Sequence, residues 1–359
     1  MSMLPSNKIV FASAGAGKTT VIATEALAMR PQHVAITTFT IKNAEEIRRK
    51  IVQLNGCVPK EITIYPWYTF LLHELVRPYQ GHVHPTRVAG IHFAKGATQT
   101  RVRKADVARY YCDVNNDAYS DRLGEFGLLC EVASEGKVVR RLGDMYSHIF
   151  IDEVQDLAGF DIEVLELLLR SPIGVSCVGD IRQSTFRTSH APKNKKFCGR
   201  GFLLKADNWK KAGLCDVKFM AHSYRCIQNI CDVADLIFPN LPKAQSHNER
   251  RTKHDGVFAV RSIHAEEYRR RYTPQILRLD RRFGKNLPAE NFGMTKGLGF
   301  ERVLIVPYKG ITKWLSTGDA QHVAGSADEV YVGITRAYQS VAFIHDGDVA
   351  LPGVTIFEP

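Results

Sequence analysis

Eight residues near the start of the chain constrain its fold more than any other stretch. Ala12-Ser13-Ala14-Gly15-Ala16-Gly17-Lys18-Thr19 follows a short apolar run at 9–12 and opens a helical pattern at 19–30. Side chains this small let successive backbone N–H groups curl around phosphate oxygens, and the helix that follows adds the positive end of its dipole. In such a loop Lys18 reaches the β- and γ-phosphates and Thr19 turns its hydroxyl to Mg²⁺. The first position is Ala12, where the general pattern has glycine. A loop of this kind, set between a strand and a helix, predicts a parallel α/β sheet with a nucleotide at its edge.

The rest of the pattern agrees with that sheet. Apolar runs at 9–12, 34–37, 62–64, 148–151 and 175–178 read as buried strands, with helical patterns such as 19–30 and 42–53 between them. A second set follows at 217–220, 257–260, 275–279, 303–306 and 341–344, with helices at 227–238 and 327–337. Alternation of this kind predicts parallel sheets covered by helices. We therefore expect two α/β domains in tandem, 1–215 and 216–359, with an insertion at about 76–146 where the rhythm breaks. A chain of 359 residues with 45% hydrophobic content has the material for two such cores.

Composition narrows the partners. The net charge is +11, with small clusters at Arg101, Arg103 and Lys104, at Lys193, Lys195 and Lys196, and at Arg269, Arg270 and Arg271. Excess positive charge suits a polyanion, although each cluster taken alone reads as a solvated face. No apolar run is long enough for a membrane span, and Met1 to Val10 has no signal-peptide pattern. Eight cysteines without a CxxC pair suit a reducing compartment, so the expected location is cytoplasmic or nucleoid-associated. His82, His84 and His92 lie near one another in sequence, but no cysteine spacing supports a metal there.

The second chemical element is Ile149-Phe150-Ile151-Asp152-Glu153, an apolar strand ending in two carboxylates. Beside a phosphate loop, Asp152 is expected to hold Mg²⁺ and Glu153 to orient and deprotonate the attacking water. Here a family resemblance becomes specific. Asp152-Glu153-Val154-Gln155-Asp156 resembles the DEXQD box of the UvrD/Rep/PcrA group of superfamily 1 helicases. In family order, Thr38-Phe39-Thr40-Ile41-Lys42-Asn43-Ala44-Glu45-Glu46-Ile47 resembles TFTNKAAxEM, and Val178-Gly179-Asp180-Ile181-Arg182-Gln183-Ser184 resembles VGDxxQS. His222-Ser223-Tyr224-Arg225 resembles NYRS, Lys296-Gly297-Leu298 with Phe300 resembles KGLEF, and Tyr331-Val332-Gly333-Ile334-Thr335-Arg336-Ala337 resembles YVALTRA.

The resemblance implies a P-loop NTPase of two tandem RecA-like domains with the ATP site in the cleft between them. It implies that residues 12–19 bind ATP together with Gly297, that Gln183 senses the γ-phosphate, and that Arg225 and Arg336 reach the triphosphate. It also implies that Thr38, Phe39 and Thr40 contact a single strand. Trp67 and Tyr68 lie in the next family contact region, where an exposed aromatic could stack on bases, and Phe186 follows Gln183-Ser184; Trp67 and Phe186 are the candidate stacking residues, with core packing the alternative for Trp67. The implied activity is ATP-dependent, 3′–5′ movement on single-stranded DNA in preference to RNA, with no membrane partner.

The chain departs from the family in four places. No glutamine occurs in 1–11 to read adenine, Gly299 stands where KGLE has glutamate, and the family's aromatic-rich run after Gln183-Ser184 reads Phe186-Arg187-Thr188-Ser189. Only 70 residues lie between Arg225 and Lys296, too few for the family's large inserted subdomain. The alternative reading is therefore an ATP-binding regulatory or motor subunit of a nuclease or anti-phage defence complex, with a protein partner and little unwinding of its own.

Overall fold

The computed structural model describes residues 7–93, 96–98 and 101–359, so residues 1–6 of the stretch without a signal-peptide pattern, Met1 to Val10, lie outside the described residues. Two compact units emerge. One comprises Met1–Phe11 and Lys18–Lys218, the other Phe219–Pro359 together with Ala12–Gly17.

The first unit is built on six strands: β1 (Lys8–Ala12), β2 (Val34–Thr38), β3 (Ile62–Pro66), β4 (His148–Asp152), β5 (Gly174–Gly179) and β6 (Asp216–Met220). Their order across the sheet is β3-β2-β4-β5-β1-β6. The β3–β2, β2–β4, β4–β5 and β5–β1 ladders are parallel. Every residue of β2, β4 and β5 is buried, which is why these strands read as unbroken apolar runs. Helix α1 (Lys18–Ala28) lays Ile22, Ala23 and Ala26 on the sheet, and Lys8 of β1 ties to its Glu25 at 2.7 Å. Helix α2 (Ile41–Asn55) buries Ala44, Ile47 and Ile51, one face at helical spacing. It begins where Thr40 accepts a hydrogen bond from the Asn43 N–H and ends where Gly56 takes φ 82, a left-handed cap that glycine adopts without steric cost.

The chain between β3 and β4 forms the insertion. It contains a π-helical turn, Leu71–Val76, and helices at Val107–Tyr111, Leu123–Ala133 and Lys137–Met145. Glu74 of the π turn is buried and accepts from Arg141 at 2.9 Å and Tyr65 at 2.8 Å, so it anchors the insertion to the sheet.

The sequence pattern assigned 217–220 to the second set of strands. The structure places β6 in the first sheet, beside β1. The cause is Asn7, whose carbonyl accepts from the Asp216 N–H while its side-chain amide bonds the carbonyls of Leu169 and Leu214 and the N–H of Val175.

The second unit carries β7 (Gly256–Val260), β8 (Gln275–Arg278), β9 (Glu290–Asn291), β10 (Phe300–Val306), β11 (Ala337–Ile344) and β12 (Val354–Ile356), in the order β9-β8-β10-β11-β7-β12. All five ladders are parallel. One core packs Trp314, Phe343, Phe292 and Tyr331 with the aliphatic faces of β10 and β11. Phe292 lies so close to Gly333 that a Cβ there would meet its ring at 2.5 Å. Two tandem parallel α/β sheets of the RecA-like kind are thus present.

Candidate functional site

Strand register brings the chemical residues of the first unit to one edge. Phe11 pairs with Gly179, and Asp152 pairs with Val178, so β1, β4 and β5 end together at the carboxyl side of the sheet, where open α/β sheets bind ligands. From β1 the chain turns through 13–17 into α1, with Gly15 at φ 75 and Gly17 at φ 82, and the Ala16 N–H closes back on the Ser13 carbonyl at 3.2 Å. Lys18 and Thr19 form the first turn of α1 and are partly exposed.

By its contacts, loop Ala12–Gly17 belongs to the second unit. The Ser13 N–H donates to the Met220 carbonyl at 3.0 Å, the Ala14 N–H to the Tyr331 hydroxyl at 3.4 Å, and the Tyr224 N–H to the Gly15 carbonyl at 2.9 Å. A Cβ on Gly15 would meet the Arg225 Cβ at 2.5 Å, so only glycine fits against Arg225. The Arg225 guanidinium donates to the Thr335 carbonyl at 3.3 Å.

The acidic edge is strained and tied down. Asp152 is buried, and Thr38 donates its hydroxyl to it at 3.4 Å. Glu153 adopts φ 56 and ψ 41, a left-handed conformation rare for a residue with a side chain. Strain of this kind clusters at functional sites. The Gln155 amide donates to a Glu153 carboxylate oxygen at 2.5 Å, and its carbonyl oxygen accepts from the Asp180 N–H at 3.0 Å. Gln183 donates to the Asp180 carboxylate at 2.6 Å. A continuous chain of hydrogen bonds therefore runs Glu153–Gln155–Asp180–Gln183, and all of it lies in the first unit.

Three residues beyond Gln183, Phe186 is 37% exposed and meets Phe39 at 5.7 Å between ring centroids. Phe39 meets Tyr68 at 6.0 Å, and Tyr68 meets Phe93 at 5.5 Å. Phe39 and Phe186 thus meet, and Tyr68, which the sequence pattern places in the same contact region as Trp67, and Phe93, which it does not select, extend them into a platform of four rings. Phe93 is 66% exposed at the rim.

Two expected strand contacts are corrected. Trp67 is 1% exposed and stacks on Phe70, because the helix beginning at residue 67 turns the indole inward and leaves Tyr68 on the platform. Thr38 is also buried, its hydroxyl turned to Asp152. Thr40, the third candidate in that segment, caps α2.

In the second unit, Arg336 is 1% exposed and donates to the carbonyls of Val332, Thr295 and Leu298, so its guanidinium braces its own unit. Gly297 is exposed with φ 87. A side chain at Gly299 would meet the Tyr338 hydroxyl at 2.3 Å, which accounts for glycine where the helicase pattern carries glutamate. The three histidines of the insertion do not converge. His84 pairs with Asn116 and His92 with Asp113, and among the described residues no cluster of acidic, histidine or cysteine side chains is arranged to hold a metal. Among those residues no helix is long and apolar enough to cross a membrane.

Comparisons with known proteins bear on the fold and the family. The crystal structure of Arterivirus nonstructural protein 10, a helicase, superposes with a TM-score of 0.50 at 13% identity, covering 94% of this chain and 59% of that one. A complex of that helicase with DNA gives 0.48 at 14% identity, covering 94% and 60%, and the PRRSV helicase gives 0.45 at 15%, covering 94% and 52%. The chain spans less than two thirds of the length of these proteins, and at such identities the likeness speaks to the fold alone. No curated relative matches the sequence. A family model, the UvrD/REP helicase N-terminal domain, matches residues 2–92 and 95–194, more than half of the chain. The chain belongs to the UvrD/REP helicase family.

Proposed function

We propose that this protein hydrolyses ATP to move along single-stranded DNA in the 3′–5′ direction. One observation carries the reading. The hydrogen-bond chain from Glu153 through Gln155 and Asp180 to Gln183 joins the acidic edge to the segment that bears Phe186. A change at the nucleotide is thereby felt three residues from the stacking platform.

The residues present suit Mg²⁺ and a triphosphate. Asp152 and the Thr19 hydroxyl are hard oxygen donors suited to Mg²⁺, and Lys18 at the head of α1 is a point charge for phosphates. Bound Mg²⁺ would neutralise charge on the phosphates. Glu153, gripped at one oxygen by Gln155, orients the attacking water and takes its proton. Arg225, packed against Gly15, adds positive charge beside the loop; such arginines contribute about 10³- to 10⁵-fold in rate. Phe39, Tyr68, Phe93 and Phe186 stack on bases without reading sequence.

The test is ATP turnover with and without single-stranded DNA, single-stranded RNA and duplex. Single-stranded DNA is expected to raise the rate most. Glu153→Gln should bind ATP and turn it over very slowly, and Lys18→Ala should abolish turnover with the fold intact. A rate indifferent to every nucleic acid would sink the motor reading, and near wild-type turnover by Lys18→Ala would sink the assignment of the loop.

A further inference from the structure

A cavity of about 550 Å³ opens in the first unit, away from the acidic edge. That volume lies within the range of roughly 300–1,000 Å³ typical of small-ligand sites. Lys104, Tyr110 and Arg122 of the insertion line it, with Phe160 from the turn before helix Asp161–Leu169 and His190 and Lys193 from the loop after Phe186.

The lining suits a flat, anionic guest. The Arg122 guanidinium stands 3.9 Å from the centroid of the Tyr110 ring and is held there by the carbonyls of Tyr110 and Thr98. The Lys104 ammonium lies 5.4 Å from the Phe160 ring and 5.8 Å from the Tyr110 ring. Aromatic rings and guanidinium planes are the surfaces on which unstacked bases settle, and ammonium groups pair with phosphates. Two carboxylates also face the cavity, and both are engaged. Asp121 accepts from the Thr98 N–H and hydroxyl, while Glu125 accepts from Lys104 and from the Tyr110 hydroxyl. Lys104, Arg122 and Lys193 supply the positive charge and His190 a further donor; Lys104 pairs with Glu125, and Lys193 stands 3.8 Å from Glu163, at the outer edge of an ion pair that a phosphate could displace.

The cavity adjoins the stacking platform. The Tyr68 hydroxyl donates to the Thr188 carbonyl at 2.7 Å, and the next residue, Ser189, donates to the Asp121 carbonyl at 2.9 Å. His190 is four positions beyond Phe186, a span of at most about 14 Å even if fully extended. A strand lying on the platform therefore passes within reach of the cavity mouth.

We propose that this cavity receives one base of the bound strand, turned out of the stack, with an adjoining phosphate on Lys104 and Lys193. The proposal rests on the single-strand reading above. It assigns the insertion a direct part in gripping the track.

An abasic scan tests it with the full chain. Single-stranded DNA oligonucleotides, each lacking one base at a successive position, are titrated by fluorescence anisotropy. Wild type should lose about fivefold or more in affinity at one position served by the cavity, and at others served by the platform. Tyr110→Leu should erase the cavity position alone, and Phe186→Ala should erase a platform position alone. Tyr110 also packs within the insertion, so Lys193→Met, an exposed change, provides a second measure. It should weaken binding, lower the log–log salt slope by about one, and leave turnover without DNA unchanged. A flat scan in wild type, a minimum that survives Tyr110→Leu, or an unaltered salt slope in Lys193→Met would overturn the cavity proposal while leaving the motor reading standing. Failure of every oligonucleotide to bind would overturn both.

Discussion

At the scale of single residues, the site depends on a few side chains for which there is almost no freedom. Gly179 is the sharpest case. Its φ is ordinary, yet a Cβ there would meet the Gln155 carbonyl oxygen at 2.2 Å and Val154 at 3.1 Å. Gly179→Ala should push Gln155 off the Asp180 N–H and leave a buried donor unpaired, at a cost of roughly 1–3 kcal/mol. A thermal melt should fall by several degrees, and the stimulation of ATP turnover by single-stranded DNA should fall further than the basal rate. Equal losses in both rates would mean that the Gln155 bridge is structural only. The same scale shows where the sequence misled. Trp67 and Tyr68 are neighbours at the start of one helix, and which of them faces outward depends on the helix phase set at Pro66. No local pattern encodes that phase, so the sequence offers both rings in one contact region and favours Trp67, whereas the structure buries Trp67 and leaves Tyr68 partly exposed.

At the scale of elements, the loop and the central strands were legible because each has a local cause. Small residues before Gly17-Lys18 make the turn, and unbroken apolar runs make strands buried on both faces. The edge strand β6 is half exposed and was misassigned because its place depends on Asn7, some two hundred residues earlier. The π turn Leu71–Val76, closed by the Arg77 N–H on the Leu72 carbonyl, has no sequence signature of its own. Thr40 shows how two roles at one element end are separated. Thr40→Asp keeps a capping oxygen and should hold the melting temperature, whereas Thr40→Ala should cost about 1 kcal/mol. If Thr40 also touches the strand, Thr40→Asp should bind an oligonucleotide more weakly; unchanged affinity would make it a cap alone. Strand β4 carries a second testable element. His148 is buried against the Ser176 hydroxyl, and burial, reinforced by Lys8, pushes its pKa down to about 4. The unfolded chain takes up a proton near pH 6.5 that the folded strand refuses. Stability is therefore full above that value and falls as pH drops from about 6.5 toward 4, by up to roughly 3 kcal/mol. Urea melts at pH 7.5 and 5 should show the loss, and His148→Asn should reduce it; an unreduced loss would move the effect elsewhere, for instance to His254, whose pKa burial likewise lowers to about 4.

At the scale of the whole molecule, the economy of the second unit matters most. Between Arg225 and Lys296 the chain makes the helices Gln228–Asp235 and Ala265–Tyr272 and the strands β7, β8 and β9, and beyond a two-residue strand at Gln245–Ser246 and two short 3-10 turns it forms no further element from which a separate lobe could be built. Movement along one strand needs an ATPase and a platform, whereas splitting a duplex needs something that holds it open. On 3′-tailed substrates under single-turnover conditions, short duplexes should open and long ones resist. Efficient opening of a long duplex by the purified chain would show that the insertion or another element splits the strands, and would count against a motor that depends on a protein partner. The burial of Trp67 has a further consequence, because the same holds for the other two tryptophans. Trp67, Trp209 and Trp314 are 1%, 2% and 0% exposed, the first two in one unit and the last in the other. The intrinsic emission of this protein should therefore be blue-shifted, poorly reached by aqueous quenchers, and little changed by bases arriving on the platform. It becomes instead a folding gauge. With Trp314 replaced by phenylalanine, the remaining light comes from the first unit alone, and the melting of the two halves can be timed separately in the same cuvette.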